Sequence, residues 1–228
     1  MEVCIITFAL MLIIPLISTI RLNVTYRSCL KRDNGKGLTG YDVAKKILDS
    51  NGLGDIYIVE TAGTMTDAYE SGRRVLRLSH DVFHGTSVAA AAIAAHEAGH
   101  AVQDAKDYSW FRVRHTIAPS VQLGEKASYI ILIVGLILGI INLVYIGVAL
   151  MIFGLIFELV TLPCELDASK RGYALIEEYD LIDEDNKPYV SKMLRAAAFT
   201  YIAAILTTLA QMAYYIARYS GRRRWWIK

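Results

Sequence analysis

Apolar runs too long for an ordinary soluble core alternate with amphipathic stretches along this chain. Val3 to Ile20 is almost unbroken in its apolarity, close to the ~20 residues that a bilayer-spanning helix needs, with Pro15 its one irregularity. Ser128 to Pro163 is about twice that length and is interrupted only by Asn142 and Glu158, which predicts two helices turning near Asn142. Ala196 to Ala217 is a further run. The pattern between them changes character. Tyr41 to Ser50 has helical periodicity closed by Asn51-Gly52, and Asp55 to Glu60 and Arg73 to Ser79 alternate as short strands do, with Gly63 and Gly72 among the turn signals. Ser87 to Ala105 is Ala-rich behind a Thr86-Ser87 capping signal and predicts a helix of about five turns. Lys31 to Gly40, rich in Gly and charge, reads as a linker.

Composition agrees with a membrane protein: 54% of the 228 residues are hydrophobic. A net charge of +2, with basic residues gathered beside apolar segments, excludes a nucleic-acid partner. Cys4, Cys29 and Cys164 form no C-x-x-C pair and predict neither a disulfide scaffold nor a thiolate metal site. Glu2 in place of a basic leader, with no A-x-A-like site after the first run, favours a span over a cleaved signal peptide. Arg21, Arg27, Lys31, Arg32 and Lys36 follow that span, so the positive-inside rule places the next segment in the cytoplasm. Four crossings would then leave the Arg222 to Lys228 tail outside, against the same rule.

The chemistry sits on the Ala-rich helix. His96-Glu97-Ala98-Gly99-His100 is an H-E-x-x-H pattern, and residues four apart share a helical face, so both imidazoles can reach one tetrahedral zinc. Glu97 can then serve as general base to a zinc-activated water and pass the proton to a leaving amine. The neighbours Ala94, Ala95, Ala98, Gly99 and Ala101 are slim, as packing around a metal requires. A catalytic zinc takes a third protein ligand. Two crossings after Ser128 return the chain to its starting side, which makes Glu165 the best-placed candidate among His80, His84, His115 and the downstream carboxylates. Asp167 is a candidate for supporting a ligand, and Glu158, two helical turns before Glu165, is another. His80 and His84 read as loop histidines, and Arg73 to Ser79 as a strand that could pair with an extended substrate.

SVAAAAIAAHEAGHAVQ (Ser87 to Gln103), MTDAYESGRRVLRLS (Met65 to Ser79), TLPCELDASKR (Thr161 to Arg171) and AAAFTYIAA (Ala196 to Ala204) together resemble the YugP-type neutral zinc metallopeptidases of bacterial membranes. The resemblance spans nearly the whole chain and implies zinc ligands at His96, His100 and Glu165. More distantly the arrangement is similar to HtpX and the CAAX prenyl endopeptidases, in which a Glu in an E-x-x-A-D pattern is the third ligand. This chain reads Glu165-Leu-Asp-Ala-Ser169 and departs from that pattern at its last position.

The expectation is a mostly α integral membrane protein with about four transmembrane helices and a small zincin-like α+β catalytic unit. Its parts would be an N-terminal span at 1–20, a soluble region at 21–127 with the H-E-x-x-H helix at about 87–105, a transmembrane hairpin at 128–163, a third-ligand helix and connector at 164–195, a fourth span at 196–217 and a basic aromatic tail at 218–228. The expected activity is metalloendopeptidase of the gluzincin kind, with one Zn2+ per chain, acting on peptides or membrane proteins at the cytoplasmic side of a bacterial cell membrane. Two other readings compete. A site-2-type intramembrane protease would put the motif inside the bilayer, but His96, Glu97, His100, Gln103 and Asp104 make a poor lipid-facing helix. A non-catalytic metal-binding scaffold would have no need of Glu97.

Overall fold

The structure, a computed structural model, describes residues 2–220, so Arg222 to Trp226, expected as an interfacial anchor, lies outside the described residues. It is a mostly α membrane protein with a small sheet. In chain order the elements are α1 (Glu2–Leu30), α2 (Gly40–Ser50), β1 (Tyr57–Thr61), β2 (Ala68–Glu70), β3 (Val75–Ser79), α3 (His80–Phe83), α4 (Val88–Ala105), α5 (Ser109–Leu138), α6 (Ile141–Glu178) and α7 (Lys187–Ser220). Among the described residues, four helical segments, within α1, α5, α6 and α7, are long and apolar enough to cross a membrane. Each begins or ends beyond the apolar run that reveals it, because a helix that has started in lipid continues wherever its next residues can still pack or be solvated.

The chain divides into two compact units. Among the described residues, one comprises residues 2–19, Val113–Leu162 and residues 200–220. Its helices expose Ile5, Ile13, Ile130, Ile137 and Ile156, an outward apolar surface that suits lipid and would be unstable in water. The hairpin between α5 and α6 turns at Gly139, three residues before Asn142. Gly139 takes φ +67° and the Ile140 N–H donates to the Gly135 carbonyl at 2.9 Å, the closure that a left-handed glycine allows at a helix end. A Cβ on Gly135 or Gly147 would stand 2.8 Å from Val144 N or the Leu132 side chain, so small residues let the two helices approach closely.

The other unit, Ile20–Arg112 with Pro163–Phe199, holds the sheet, α2 to α4 and the inner parts of the long helices. Its sheet has the order β1-β3-β2, with β3 parallel to β1 and antiparallel to β2. The strand at Arg73 to Ser79 is therefore central, and both its edges are already paired. It cannot accept an extended peptide; the outer strands are β1 and β2. The three-residue β2 is a strand that alternation does not reveal, since so short a segment has no period to read.

Helix α4 runs through the middle of this unit. Ser87 caps it by accepting from the Ala90 N–H at 3.1 Å, a contact of about 1 kcal/mol, and Ala89 to Ala92, Ala94, Ala95 and Ala98 are fully buried. Alanine gives α4 high helix propensity and a narrow radius at once. The Lys31 to Gly40 segment is more than a linker. Asn34 is buried, its backbone N–H donates to Thr86 at 2.9 Å, and Val88 donates back to Arg32 at 2.8 Å, which pins the entry to α4.

Candidate metal centre

Helical spacing puts His96 and His100 on one face of α4, with ring centroids 4.8 Å apart and planes at 81°. Glu165 of α6 meets them both. Its Oε2 lies 3.3 Å from His96 Nε2 and 3.6 Å from His100 Nε2, and the three donor atoms all lie within 4.8 Å of one another. Ligands about 2.0–2.1 Å from a tetrahedral ion stand roughly 3.3 Å apart. The two His–Glu separations are close to that figure, so two imidazoles and a carboxylate here could hold a zinc ion with little rearrangement. Glu165 is 3% exposed and His100 6%, which makes the pocket dry enough for a charge to be felt strongly.

Close backbone packing brings α6 to this position. A Cβ on Gly99 would stand 2.7 Å from the Ala168 carbonyl oxygen, and one on Gly172 would stand 2.8 Å from that of Ala95. The two glycines thus let α4 and α6 touch backbone to backbone, and they set the register that presents Glu165 to the histidines. Gly99 costs about 1 kcal/mol of helix propensity relative to Ala, and this contact explains why it is there.

Each imidazole is oriented from behind. His100 Nδ1 lies 2.9 Å from Gln103 Oε1, and the fully buried Gln103 donates in turn from Nε2 to the Cys164 carbonyl and to Asp167 Oδ2, both at 2.8 Å. Asp167 also takes a charge-assisted bond from Arg171, whose guanidinium lies over the Tyr108 ring. Asp167 therefore reaches His100 only through Gln103. His96 Nδ1 lies 3.2 Å from Ser169 Oγ. The position where the related pattern has a carboxylate thus still carries a hydrogen-bonding group for His96, a neutral one. Burial alone would lower the His100 imidazole, but hydrogen bonds with Cys164 and then Glu165 outweigh it and raise the group well above its usual value. The site attracts positive charge strongly.

Glu97 is held separately. Its Oε2 accepts from the Tyr69 backbone N–H of β2 at 2.9 Å, and Tyr69 donates its hydroxyl to Asp104 Oδ2 at 2.8 Å, where Ser71 Oγ also donates at 2.6 Å. Burial, followed by the bond to Asp104, pushes the Tyr69 phenol up, which keeps it a donor. The Phe111 ring, 6.1 Å from His100 and 6.4 Å from Tyr69, packs over this corner. Glu158 belongs to the lipid-suited unit, where its Oε1 accepts from Thr208 at 3.0 Å. His80 and His84 pair with Glu60.

Gln103, Ser169 and the Tyr69 amide are contributors that the sequence alone does not single out. Gln103 follows His100 by three residues and Ser169 follows Glu165 by four, spacings that place each on its neighbour's helical face. The Tyr69 amide has no such signal, because any residue has one.

Comparison with known proteins bears on the family of the chain. A family described as "Putative neutral zinc metallopeptidase" matches residues 4–220. The chain is also 38% identical over 186 residues to the "Putative membrane protease YugP" of Bacillus subtilis (strain 168), covering 82% of this chain and 83% of that protein. No solved structure matches. With a match over almost its full length and a relative of that identity, the chain belongs to the neutral zinc metallopeptidase family.

Proposed function

We propose that this chain is a membrane-embedded, zinc-dependent metalloendopeptidase in which His96, His100 and Glu165 hold one zinc ion and Glu97 is the general base. The observation that carries the reading is the convergence of His96 and His100 Nε2 on Glu165 Oε2 at 3.3 and 3.6 Å, beside a carboxylate on the same helix. Bound there, zinc supplies Lewis acidity, which acidifies a water and polarises a peptide carbonyl. The chain's own groups do the rest. Gln103 and Ser169 accept from the two Nδ1–H groups, so each imidazole presents Nε2 in the ligating tautomer. The Tyr69 amide anchors Glu97 Oε2, which leaves Oε1 to take the proton from the attacking water and deliver it to the leaving amine nitrogen.

The helix that carries the motif favours a surface peptidase over an intramembrane one. Among the described residues α4 is not one of the helices long and apolar enough to span, and its buried face packs in the unit that contains the sheet. The substrate class is a peptide or a membrane protein. The basic residues Arg21, Arg27, Lys31, Arg32 and Lys36 support the cytoplasmic face of a bacterial cell membrane for this unit. Protease protection of a tag in Lys31 to Gly40 tests that side: protection in intact cells supports it, and cleavage from outside refutes it.

Glu97→Gln in the purified, detergent-solubilised chain tests the activity. The expected result is zinc retained as in the wild type, with peptide-bond cleavage reduced about 10²–10⁴-fold. Cleavage at the wild-type rate would remove Glu97 from the mechanism.

A further inference from the structure

A second set of side chains has the donor composition of the metal centre. His80 and His84 are also four residues apart, and Glu60 of β1 faces both. His80 Nδ1 lies 2.6 Å from Glu60 Oε1, His84 Nε2 lies 3.1 Å from Glu60 Oε2, and the two rings are 5.0 Å apart. Their donor atoms, like those of the buried group, all lie within 4.8 Å of one another. Unlike the buried group, all three residues are exposed.

The local fold presents these groups to solvent. Glu60 pairs with Leu78 in the parallel β1–β3 ladder, and β3 leads directly into α3, which His80 opens and His84 closes. The Phe83 ring packs on His84 at 4.8 Å and on Tyr41 at 5.1 Å, which steadies the turn. All three donor residues are exposed, so an ion can reach them from water; on another side the two histidines, without Glu60, line a hollow with Lys31, Asp33 and Thr86.

We propose that Glu60, His80 and His84 form a second, weaker binding site for a divalent cation of the zinc class, tying β1 to the turn that leads into α4. Two imidazoles and a carboxylate are the ligands that zinc, nickel and copper share, and calcium or magnesium would choose an all-oxygen set. Two ligands on a tetrahedral ion stand roughly 3.3 Å apart. The His84–Glu60 separation is already near this, and the His80–Glu60 separation of 2.6 Å has to open, which exposed side chains can do. Solvent completes the coordination. Binding is weaker than in the buried centre because three mobile side chains must be ordered and the ion remains hydrated on one side.

Zinc titration of the metal-free full chain in detergent, followed by calorimetry, tests this. The wild type should bind two zinc ions in two classes. Glu60→Gln and His84→Asn should each lose the weaker class and keep the tighter one within about twofold, as expected for independent sites. Glu165→Ala should do the reverse, so failure of the metal-centre reading and failure of this one are told apart. Zinc should also raise the melting temperature of Glu165→Ala protein but not that of the Glu165→Ala, His84→Asn double variant. A wild type that binds one zinc, or a Glu60→Gln or His84→Asn protein that still binds two, overturns the proposal.

Discussion

The molecule carries two His-x-x-x-His pairs, each facing a glutamate, and they differ in almost everything around those donors. At His96 and His100 the carboxylate arrives from a separate helix, is almost fully buried, and stands at separations that suit a metal without rearrangement. At His80 and His84 it arrives from a neighbouring strand, is exposed, and approaches His80 at 2.6 Å, a separation that has to open before an ion is shared. The residue after the first histidine makes the contrast sharper. Glu97 is anchored by the Tyr69 amide beside the buried donors, whereas Asp81 is exposed on a four-residue helix. Donor identity is thus common to both; orientation, dryness and a positioned base belong to one. On the proposed reading, that difference separates a centre that catalyses from a patch that only binds.

Exchanging those features is the way to break the comparison. The largest effect is expected from the bases: Glu97→Gln should lower cleavage about 10²–10⁴-fold, while Asp81→Asn should leave it within about twofold, as expected of a surface change; steady-state kinetics on one peptide reads both. Next is the contact that sets the register. Gly99→Ala gains about 1 kcal/mol of helix propensity but drives a Cβ to 2.7 Å from the Ala168 carbonyl oxygen. Overpacking of this kind costs about 1–3 kcal/mol, so the variant should melt lower and bind zinc more weakly. Gln103→Ala removes the partner of His100 and one donor each to Asp167 and the Cys164 carbonyl. Zinc affinity should fall about 10–100-fold, the range for removing an orienting group, measured by competition with a chromogenic chelator. Ser169→Ala, which removes one longer bond to His96, should fall at or below the lower end of that range. The smallest effect belongs to the exposed pair: without metal, His84→Asn should change unfolding stability by no more than about 0.5 kcal/mol.

The same contrast explains what the sequence makes legible. His96, Glu97 and His100 can be grouped from helical spacing alone, because i to i+4 geometry is local. The membrane-length helices are legible from apolar run length, although their ends are not: α5 begins at Ser109 and α6 continues through Pro163 to Glu178, since helix continuation depends on packing beyond the run. Glu165 needs a topological argument, and Gln103 and Ser169 need more than that. Their roles depend on the register between α4 and α6, which the Gly99 and Gly172 contacts set across a long sequence separation. Strand pairing is equally non-local. Alternation marks Arg73 to Ser79 as a strand, but nothing along the chain says that β1 and β2 occupy both its edges.

The central claim is that the buried group is the catalytic metal centre. Zinc content and peptide cleavage measured on the same detergent preparation of Glu165→Ala, after dialysis against a chelator strong enough to strip the exposed site, test it most directly. Against a wild type that keeps about one zinc per chain and cleaves, the variant should lose both metal and activity. A Glu165→Ala protein that keeps its zinc and cleaves at the wild-type rate would contradict the account.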